Sequence, residues 1–156
     1  MRRNGFTLIE ILVVLVIIGV LLASVSIKAF PDERQTLRQE TERLGLLLQQ
    51  ARDQALTSGR SIAWSVDQQA YTFSSLNAER QWVPLTQNTT LRMRNFATSV
   101  HLTALQVNQV NVPLSTRLIF APSGLNTPFT ATLVLQQHRL HLLGDSSGRI
   151  SIRDEI

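Results

Sequence analysis

The chain begins Met1-Arg2-Arg3-Asn4-Gly5-Phe6-Thr7-Leu8-Ile9-Glu10 and continues into an uncharged apolar run, Ile11 to Ala23. A helix from Phe6 to Ile27 would be about 30 Å long, which matches the hydrocarbon core of a bilayer. Glu10 is the only charged residue in that segment. A charge inside a membrane segment costs a few kcal/mol or more, so the sequence predicts that this carboxylate has a partner or a function.

Two simpler explanations of this stretch are a secretory signal peptide and a plain membrane anchor. A signal peptide has an apolar centre of about 7–15 residues followed by a small-residue cleavage site. Here the apolar run is longer, and the residues from Ser24 to Phe30 form no such site. A plain anchor explains the length, and Arg2-Arg3 would keep the N-terminus in the cytoplasm. Neither explanation accounts for Glu10.

The segment Gly5-Phe6-Thr7-Leu8-Ile9-Glu10 resembles the class III signal of type IV pilins and type II secretion pseudopilins. The resemblance implies that a prepilin peptidase cuts after Gly5, on the cytoplasmic side, and methylates the new N-terminal amine of Phe6. It also implies that Glu10 pairs with the terminal amine of a neighbouring subunit and sets the register of a filament. Such pairing would remove most of the penalty of burying the carboxylate.

Composition limits the remainder of the chain. With 156 residues and 44% hydrophobic residues, it can form one modest domain beside a long helix. It has no cysteine, which argues against a disulfide-stabilised scaffold. The net charge of +4 includes Arg2 and Arg3, which the expected cleavage removes. Because the other arginines are scattered among acids, the charge pattern does not favour nucleic-acid binding.

A second helical segment follows the apolar run. Pro31, followed by Asp32 and Glu33, predicts a bend within one long helix. The sequence from Arg34 to Thr57 then has apolar residues at helical spacing. They are Leu37, Leu44, Leu47, Leu48, Ala51 and Ala55. This pattern predicts an amphipathic helix packed against a sheet and ended by Ser58-Gly59. A coiled coil is disfavoured because no sustained heptads follow.

Beyond Gly59 the pattern changes to short strands separated by turns. The predicted strands are Ser61–Val66, Tyr71–Ser74, Trp82–Leu85, Thr89–Met93, Val100–Thr103, Arg117–Phe120, Thr130–Leu135, Leu140–Leu143 and Arg149–Ile152. The stretch from Asn88 to Pro113 has the weakest pattern. The predicted fold is α+β, with a long N-terminal helix packed on an antiparallel sheet or a small two-sheet sandwich.

This organisation predicts four segments. Residues 1–5 are a leader peptide that is removed, and residues 6–28 are a hydrophobic transmembrane helix. Residues 29–59 form an amphipathic periplasmic helix, and residues 60–156 form a periplasmic β domain. The expected location is the bacterial inner membrane, crossed once, with the N-terminus in the cytoplasm.

Two later motifs bear on the subfamily. Ile119-Phe120-Ala121-Pro122-Ser123-Gly124 and the glycine-bounded turn within Gly144–Ile152 are similar to the H-type minor pseudopilins of type II secretion, the GspH family. This resemblance implies a structural subunit near the pseudopilus tip that supports assembly and export of folded proteins across the outer membrane. The implied partners are the major pseudopilin, other minor pseudopilins, the prepilin peptidase and the inner-membrane secretion platform.

Related minor pilins of the FimT and FimU kind share the same layout, so two alternatives stay open. One is a type IV pilus minor pilin that acts in pilus priming. The other is a minor pilin that captures DNA during natural transformation, with Arg149 and Arg153 on phosphates. The neighbouring acids Asp154 and Glu155 argue against the second alternative.

Nothing in the sequence predicts an enzyme. His138 and His141 are three residues apart but have no cysteine partner and no HExxH pattern, so we interpret them as surface or half-buried residues. Ser123 lacks the first glycine of a nucleophile elbow and has no identifiable base. The sequence therefore predicts no catalytic residue, no cofactor and no metal site.

Overall fold

The computed structural model describes residues 7–26, 32–67, 69–97 and 99–154. It divides the chain into two compact units, Met1–Asp32 and Glu33–Ile156. The predicted cleavage site at Gly5 and Phe6 and the predicted bend at Pro31 lie outside the described residues.

The first unit contains helix α1, Leu8–Ser26. Thr7 precedes this helix, and its carbonyl accepts a hydrogen bond of 3.0 Å from the Glu10 N–H. The large apolar side chains from Leu8 to Leu21 are between 46% and 85% exposed. Judged by length and hydropathy together, no helix within the described ranges qualifies as a membrane span.

The second unit begins with helix α2, Glu33–Ser58. All six apolar residues of the predicted stripe are buried, together with Glu40, Thr41 and Gly45. The amphipathic character of this helix is therefore confirmed. Its end is also explained by the sequence, because Gly59 follows with φ +66°, a left-handed conformation that glycine adopts at little cost.

Ten strands follow α2 in the described parts of the chain. They are β1 Ile62–Asp67, β2 Ala70–Leu76, β3 Trp82–Pro84, β4 Arg94–Asn95, β5 His101–Val107, β6 Val110–Val112, β7 Leu118–Phe120, β8 Phe129–Leu135, β9 His138–Gly144 and β10 Ile150–Asp154. Every pairing between them is antiparallel.

The strands form two sheets of five. Sheet A has the order β3-β2-β1-β7, and β4 pairs with a different part of β2. Sheet B has the order β10-β9-β8-β5-β6, with a register shift between Leu102 and Ala104. The predicted α+β fold is confirmed in its two-sheet form.

Helix α2 contacts both sheets and supplies one side of a shared core. Leu44 and Leu48 of α2 are completely buried, as are Trp64 of sheet A and Leu133 and Leu142 of sheet B. Burying a leucine or isoleucine side chain of this kind is worth about 1.5–3 kcal/mol. The packing of the apolar stripe therefore holds the helix and the two sheets together.

The segment between β3 and β4 differs from the prediction. The predicted strand Thr89–Met93 is wrong, because this segment is irregular. The side-chain oxygen of Asn88 accepts hydrogen bonds of 2.9 Å from the N–H groups of Thr90 and Leu91, which takes two donors away from a strand ladder. Leu91 is nevertheless fully buried, so its apolar character reflects packing and not a strand.

Strand β6 was missed by the sequence pattern. It forms a hairpin with β5 through Asn108 and Gln109, which have φ values of +51° and +64°. A two-residue turn with both φ values positive matches the twist of a hairpin, but glycine is the usual signal for it. The Asn-Gln pair gives a weaker signal, because only asparagine of the two tolerates this conformation well.

Candidate assembly site

Glu10 lies in the first turn of α1, where the positive end of the helix dipole favours a carboxylate. Its side chain is exposed, and its neighbours Ile9 and Ile11 are 70% and 50% exposed. No ion pair joins Glu10 to another described residue. The carboxylate is thus presented on an apolar surface.

A second charged group of interest is buried under α2. The carboxylate of Glu40 is only 7% exposed and forms an ion pair with Arg43, one helical turn further on. The Arg43 guanidinium also donates a hydrogen bond of 3.1 Å to the Asn95 carbonyl in β4. Arg43 therefore neutralises a buried charge and attaches β4 of sheet A to the helix.

Tyr71 belongs to the same cluster. It is fully buried, and its ring packs against Phe73 and Phe96 with centroid distances of 6.1 and 4.9 Å. Burial raises the pKa of the Tyr71 hydroxyl, and the positive charge of Arg43 opposes that increase. The local sequence pattern did not indicate a special role for Glu40, Arg43 or Tyr71. The spacing of an acid and a base at i and i+3 beside the apolar stripe was the only available signal.

The two subfamily motifs meet in space at the end of α2. The Asn126 N–H donates a hydrogen bond of 2.9 Å to the Ser146 carbonyl, which joins the β7–β8 loop to the β9–β10 turn. Gly148 has φ +75°, and a Cβ there would lie 2.6 Å from Arg52 and 2.7 Å from Asn126. A side chain at this position would have to displace Arg52 and Asn126, and the left-handed φ already favours glycine.

The polar residues of this turn have a structural role. The Asp145 carboxylate accepts three hydrogen bonds, from the Ser147 hydroxyl (2.6 Å), the Ser147 N–H (2.8 Å) and the Arg149 N–H (2.9 Å). The hydrogen bond from the Ser147 hydroxyl is the main reason why the pKa of Asp145 is below its ordinary value. Asp145 thus organises the β9–β10 turn.

The residues considered for chemistry do not converge. His138 is exposed, and His141 is half-buried with its Nδ1 3.0 Å from the Thr132 hydroxyl. Ser123 is exposed, and its oxygen accepts a hydrogen bond of 3.4 Å from the Leu125 N–H. In the part of the chain that the structure describes, no three His, Cys, Asp or Glu residues are grouped so that they could hold a metal ion.

Arg149 and Arg153 are both exposed, but the acid next to Arg153 does not pair with it. Asp154 instead forms an ion pair of 3.5 Å with Arg34 of α2. The other acid of the tail, Glu155, lies outside the described residues. Asp154 is therefore next to Arg153 in the sequence but does not neutralise it in the structure, because its carboxylate pairs with Arg34.

A helix packed on two antiparallel sheets, with a separate apolar helix before it, defines a pilin-like protein. Residues 40–152 match the family described as type II transport protein GspH, and residues 1–26 match the prokaryotic N-terminal methylation motif. No curated protein gives a match. Because the first match covers most of the chain, the chain belongs to the GspH family. It is a minor pseudopilin of type II secretion.

Solved structures share the fold. The minor pseudopilin EpsH from the type II secretion system of Vibrio cholerae is 16% identical, with a TM-score of 0.62 over 76% of this chain and 96% of that one. The solution structure of Escherichia coli GspH is 17% identical, with a TM-score of 0.62 over 78% and 89% of the two chains. The type IV minor pilin FimU of Pseudomonas aeruginosa is 19% identical, with a TM-score of 0.54 over 78% and 90%.

Proposed function

We propose that a prepilin peptidase cuts this minor pseudopilin between Gly5 and Phe6 and methylates Phe6, and that the mature chain joins the pseudopilus near its tip. There it supports filament assembly and the export of folded proteins across the outer membrane. The observation that carries the proposal is the match of residues 1–26 to the N-terminal methylation motif.

Residues 6–28 serve as the anchor in the inner membrane in this proposal, with the N-terminus in the cytoplasm. The amphipathic helix of residues 29–59 and the β domain of residues 60–156 lie in the periplasm. Support comes from Arg2 and Arg3 before the apolar run and from the membership of the GspH family. The partners are the major pseudopilin, the other minor pseudopilins, the prepilin peptidase and the inner-membrane platform.

Glu10 sets the register of the filament in this proposal. Its carboxylate stands on an apolar helix surface that other subunits would cover, and it has no ion-pair partner among the described residues. An unpaired charge covered in this way is strongly unfavourable, whereas one paired with the Phe6 amine of a neighbour is not. A subunit docked one step out of register would leave the charge unpaired.

The first experiment is intact mass spectrometry of the full chain, expressed with its prepilin peptidase and extracted from membranes. The expected product begins at Phe6 and carries one additional methyl group. Gly5→Arg should block the cut and leave the leader attached. A wild-type chain that keeps residues 1–5, while a control substrate is processed, would contradict the processing proposal.

The second experiment tests Glu10 separately. Glu10→Ala should be cut and methylated normally but should be incorporated poorly into pseudopili, as measured by crosslinking of sheared filaments. Asp53→Ala, which removes an exposed carboxylate from α2, is the matched control and should be incorporated normally. Normal incorporation of Glu10→Ala would refute the register role without affecting the cleavage result.

The similarity to FimU keeps one alternative function open, that of a type IV pilus minor pilin acting in pilus priming or DNA capture. DNA capture would depend on exposed arginines such as Arg149 and Arg153, and its affinity would fall steeply with salt. Salt-dependent retardation of DNA by the full chain in detergent, lost in a double Arg149→Ala, Arg153→Ala variant, would favour it. Absence of retardation at low salt would exclude it.

A further inference from the structure

Strand β10, an edge strand of sheet B, is longer than the strands at the other ends of the two sheets. The strands at the other ends of the sheet orders, β3, β6 and β7, have three residues each, and β3 ends at Pro84. Short edges and proline are common protections against the addition of further strands. Strand β10 has five residues and no proline, and it pairs only with β9. It is therefore the edge best able to accept another strand.

The outward-facing backbone groups of β10 follow from its hydrogen bonding. The Asp145 N–H donates a hydrogen bond of 3.1 Å to the Arg149 carbonyl at the start of the β9–β10 ladder. In an antiparallel pair every second residue bonds to the partner strand, so Ser151 and Arg153 bond to β9. The alternate residues of β10, with Ile152 at the centre, direct their N–H and C=O groups to the open edge.

An apolar groove runs beside this edge. It has a volume of about 360 Å³ and lies between α2 and β10, where Gly45, Leu46, Ile150 and Ile152 contribute to its lining. Leu46 is 66% exposed and Ile152 is 37% exposed. An added strand would place alternate side chains on this side of the sheet, next to Ile152 and against Leu46.

The positive charge of Arg153 indicates which side chains an added strand should carry at this edge. The side chain of Arg153 is exposed and has no hydrogen bond or ion pair to any of the described residues, while the adjacent Asp154 forms an ion pair with Arg34. A neighbouring strand with a carboxylate beside Arg153 would supply the missing opposite charge. The side of an added strand that faces away from α2 should therefore be acidic.

A second copy of this chain meets these requirements poorly. Two β10 strands paired antiparallel about Ile152 would place Arg153 opposite Ser151 and Asp154 opposite Ile150. No opposite charges would meet directly in that arrangement. A segment of a different protein can satisfy the groove and the arginine together.

We propose that β10 binds an extended segment of another protein as an additional strand of sheet B. The segment has apolar side chains that enter the groove at Leu46 and Ile152 and a carboxylate beside Arg153. This surface belongs to the second unit of the chain and does not depend on cleavage at Gly5 or on the role of Glu10.

The test uses the full chain in detergent micelles and a blocked peptide of about six residues, the usual strand length, in which valine and glutamate alternate. Amide hydrogen exchange is measured by NMR at each residue of β10. Peptide binding should slow exchange at Ile152 by about tenfold, the equivalent of one hydrogen bond, and leave Ser151 unchanged because its N–H is already bonded to β9.

Matched variants separate strand addition from unspecific binding. A peptide with lysine in place of glutamate should bind about fivefold more weakly, the upper range for an exposed ion pair. Arg153→Glu should reverse this preference, and the control Arg60→Glu, an exposed arginine outside β10, should retain it. Leu46→Ala should weaken the binding of both peptides.

Three results would overturn the proposal. One is unchanged exchange at Ile152 with peptide in large excess. Another is an unaltered peptide preference in Arg153→Glu. The third is protection of Ile152 that increases with protein concentration in the absence of peptide, which would assign the edge to a second copy of this chain.

Discussion

Replacing Arg43 by alanine should destabilise the second unit, because the buried Glu40 carboxylate would lose its ion-pair partner. Glu40 is 7% exposed, and Arg43 is its ion-pair partner. The substitution also removes the hydrogen bond from the guanidinium to the Asn95 carbonyl. We expect the free energy of unfolding to fall because a charge stays buried without compensation.

The size of the expected loss in the free energy of unfolding depends on how deeply the Glu40–Arg43 ion pair is buried. Breaking a fully buried ion pair costs about 3–5 kcal/mol, but the Arg43 side chain is 43% exposed, so water can solvate part of the site. We therefore expect a loss of about 2 kcal/mol. The same helix offers a matched control, Arg38→Ala, because Arg38 pairs with Glu42 at 2.9 Å on the exposed surface. Exposed pairs of this kind contribute about 0.3–0.5 kcal/mol.

The assay is urea unfolding of the full chain in detergent, followed by tryptophan fluorescence, to which the fully buried Trp64 and the half-buried Trp82 contribute. The double variant Glu40→Gln, Arg43→Ala should recover part of the lost stability, because it removes the uncompensated charge. If Arg43→Ala costs no more than Arg38→Ala, or if the double variant is the least stable of all, the reasoning from the buried charge is wrong.

The same variant has an independent spectroscopic readout. Tyr71 is the only tyrosine of the chain, so tyrosinate absorbance reports on it alone. Because Arg43 lowers the pKa of the Tyr71 hydroxyl, Arg43→Ala should raise that pKa further. Glu40→Gln should lower it, since the negative charge of Glu40 acts in the opposite direction. A shift of the same sign in both variants would contradict the proximity of these charges.

Two further substitutions test the packing and the β9–β10 turn. Leu48→Ala should destabilise the second unit by about 2–5 kcal/mol in urea unfolding, because Leu48 is fully buried, whereas Leu46→Ala on the exposed side should have little effect. Equal losses would contradict the burial pattern of α2. Ser147→Ala should raise the pKa of Asp145 towards its ordinary value in a carboxyl NMR titration. Since the folded-state pKa of Asp145 is lowered, its contribution to stability is present above its unfolded-state pKa and is lost as the pH falls through the folded-state pKa. In Ser147→Ala this contribution should therefore be smaller, and its loss should be complete at a higher pH. An unchanged Asp145 pKa would show that the hydroxyl does not stabilise the carboxylate.

Local patterns predicted much of the second unit. The stripe from Leu37 to Ala55 specified the buried face of α2, because side chains spaced three and four apart share one side of a helix. Strands such as Thr130–Leu135 were found because alternating burial gives a period of two, and β8 shows that alternation throughout. The GspH resemblance was recognised from turns whose glycines meet specific backbone requirements.

The prediction failed where local signals compete with distant contacts. Leu91 resembles a strand residue, but the hydrogen bonds of Asn88 to the backbone prevail and the leucine is buried from a loop. Strand β6 depends on a turn without glycine, and its partner β5 supplies the hydrogen bonds that stabilise it.

The sequence by itself determined the helices, most strands and the family, because these depend on hydrophobic periodicity and on short motifs that act within a few residues. Only the tertiary structure decided that Glu40 is buried against Arg43 and that β10 ends its sheet as an open edge beside Leu46. Burial of a charge and exposure of a strand edge depend on which distant segments pack together. The local spacing of residues cannot specify that arrangement.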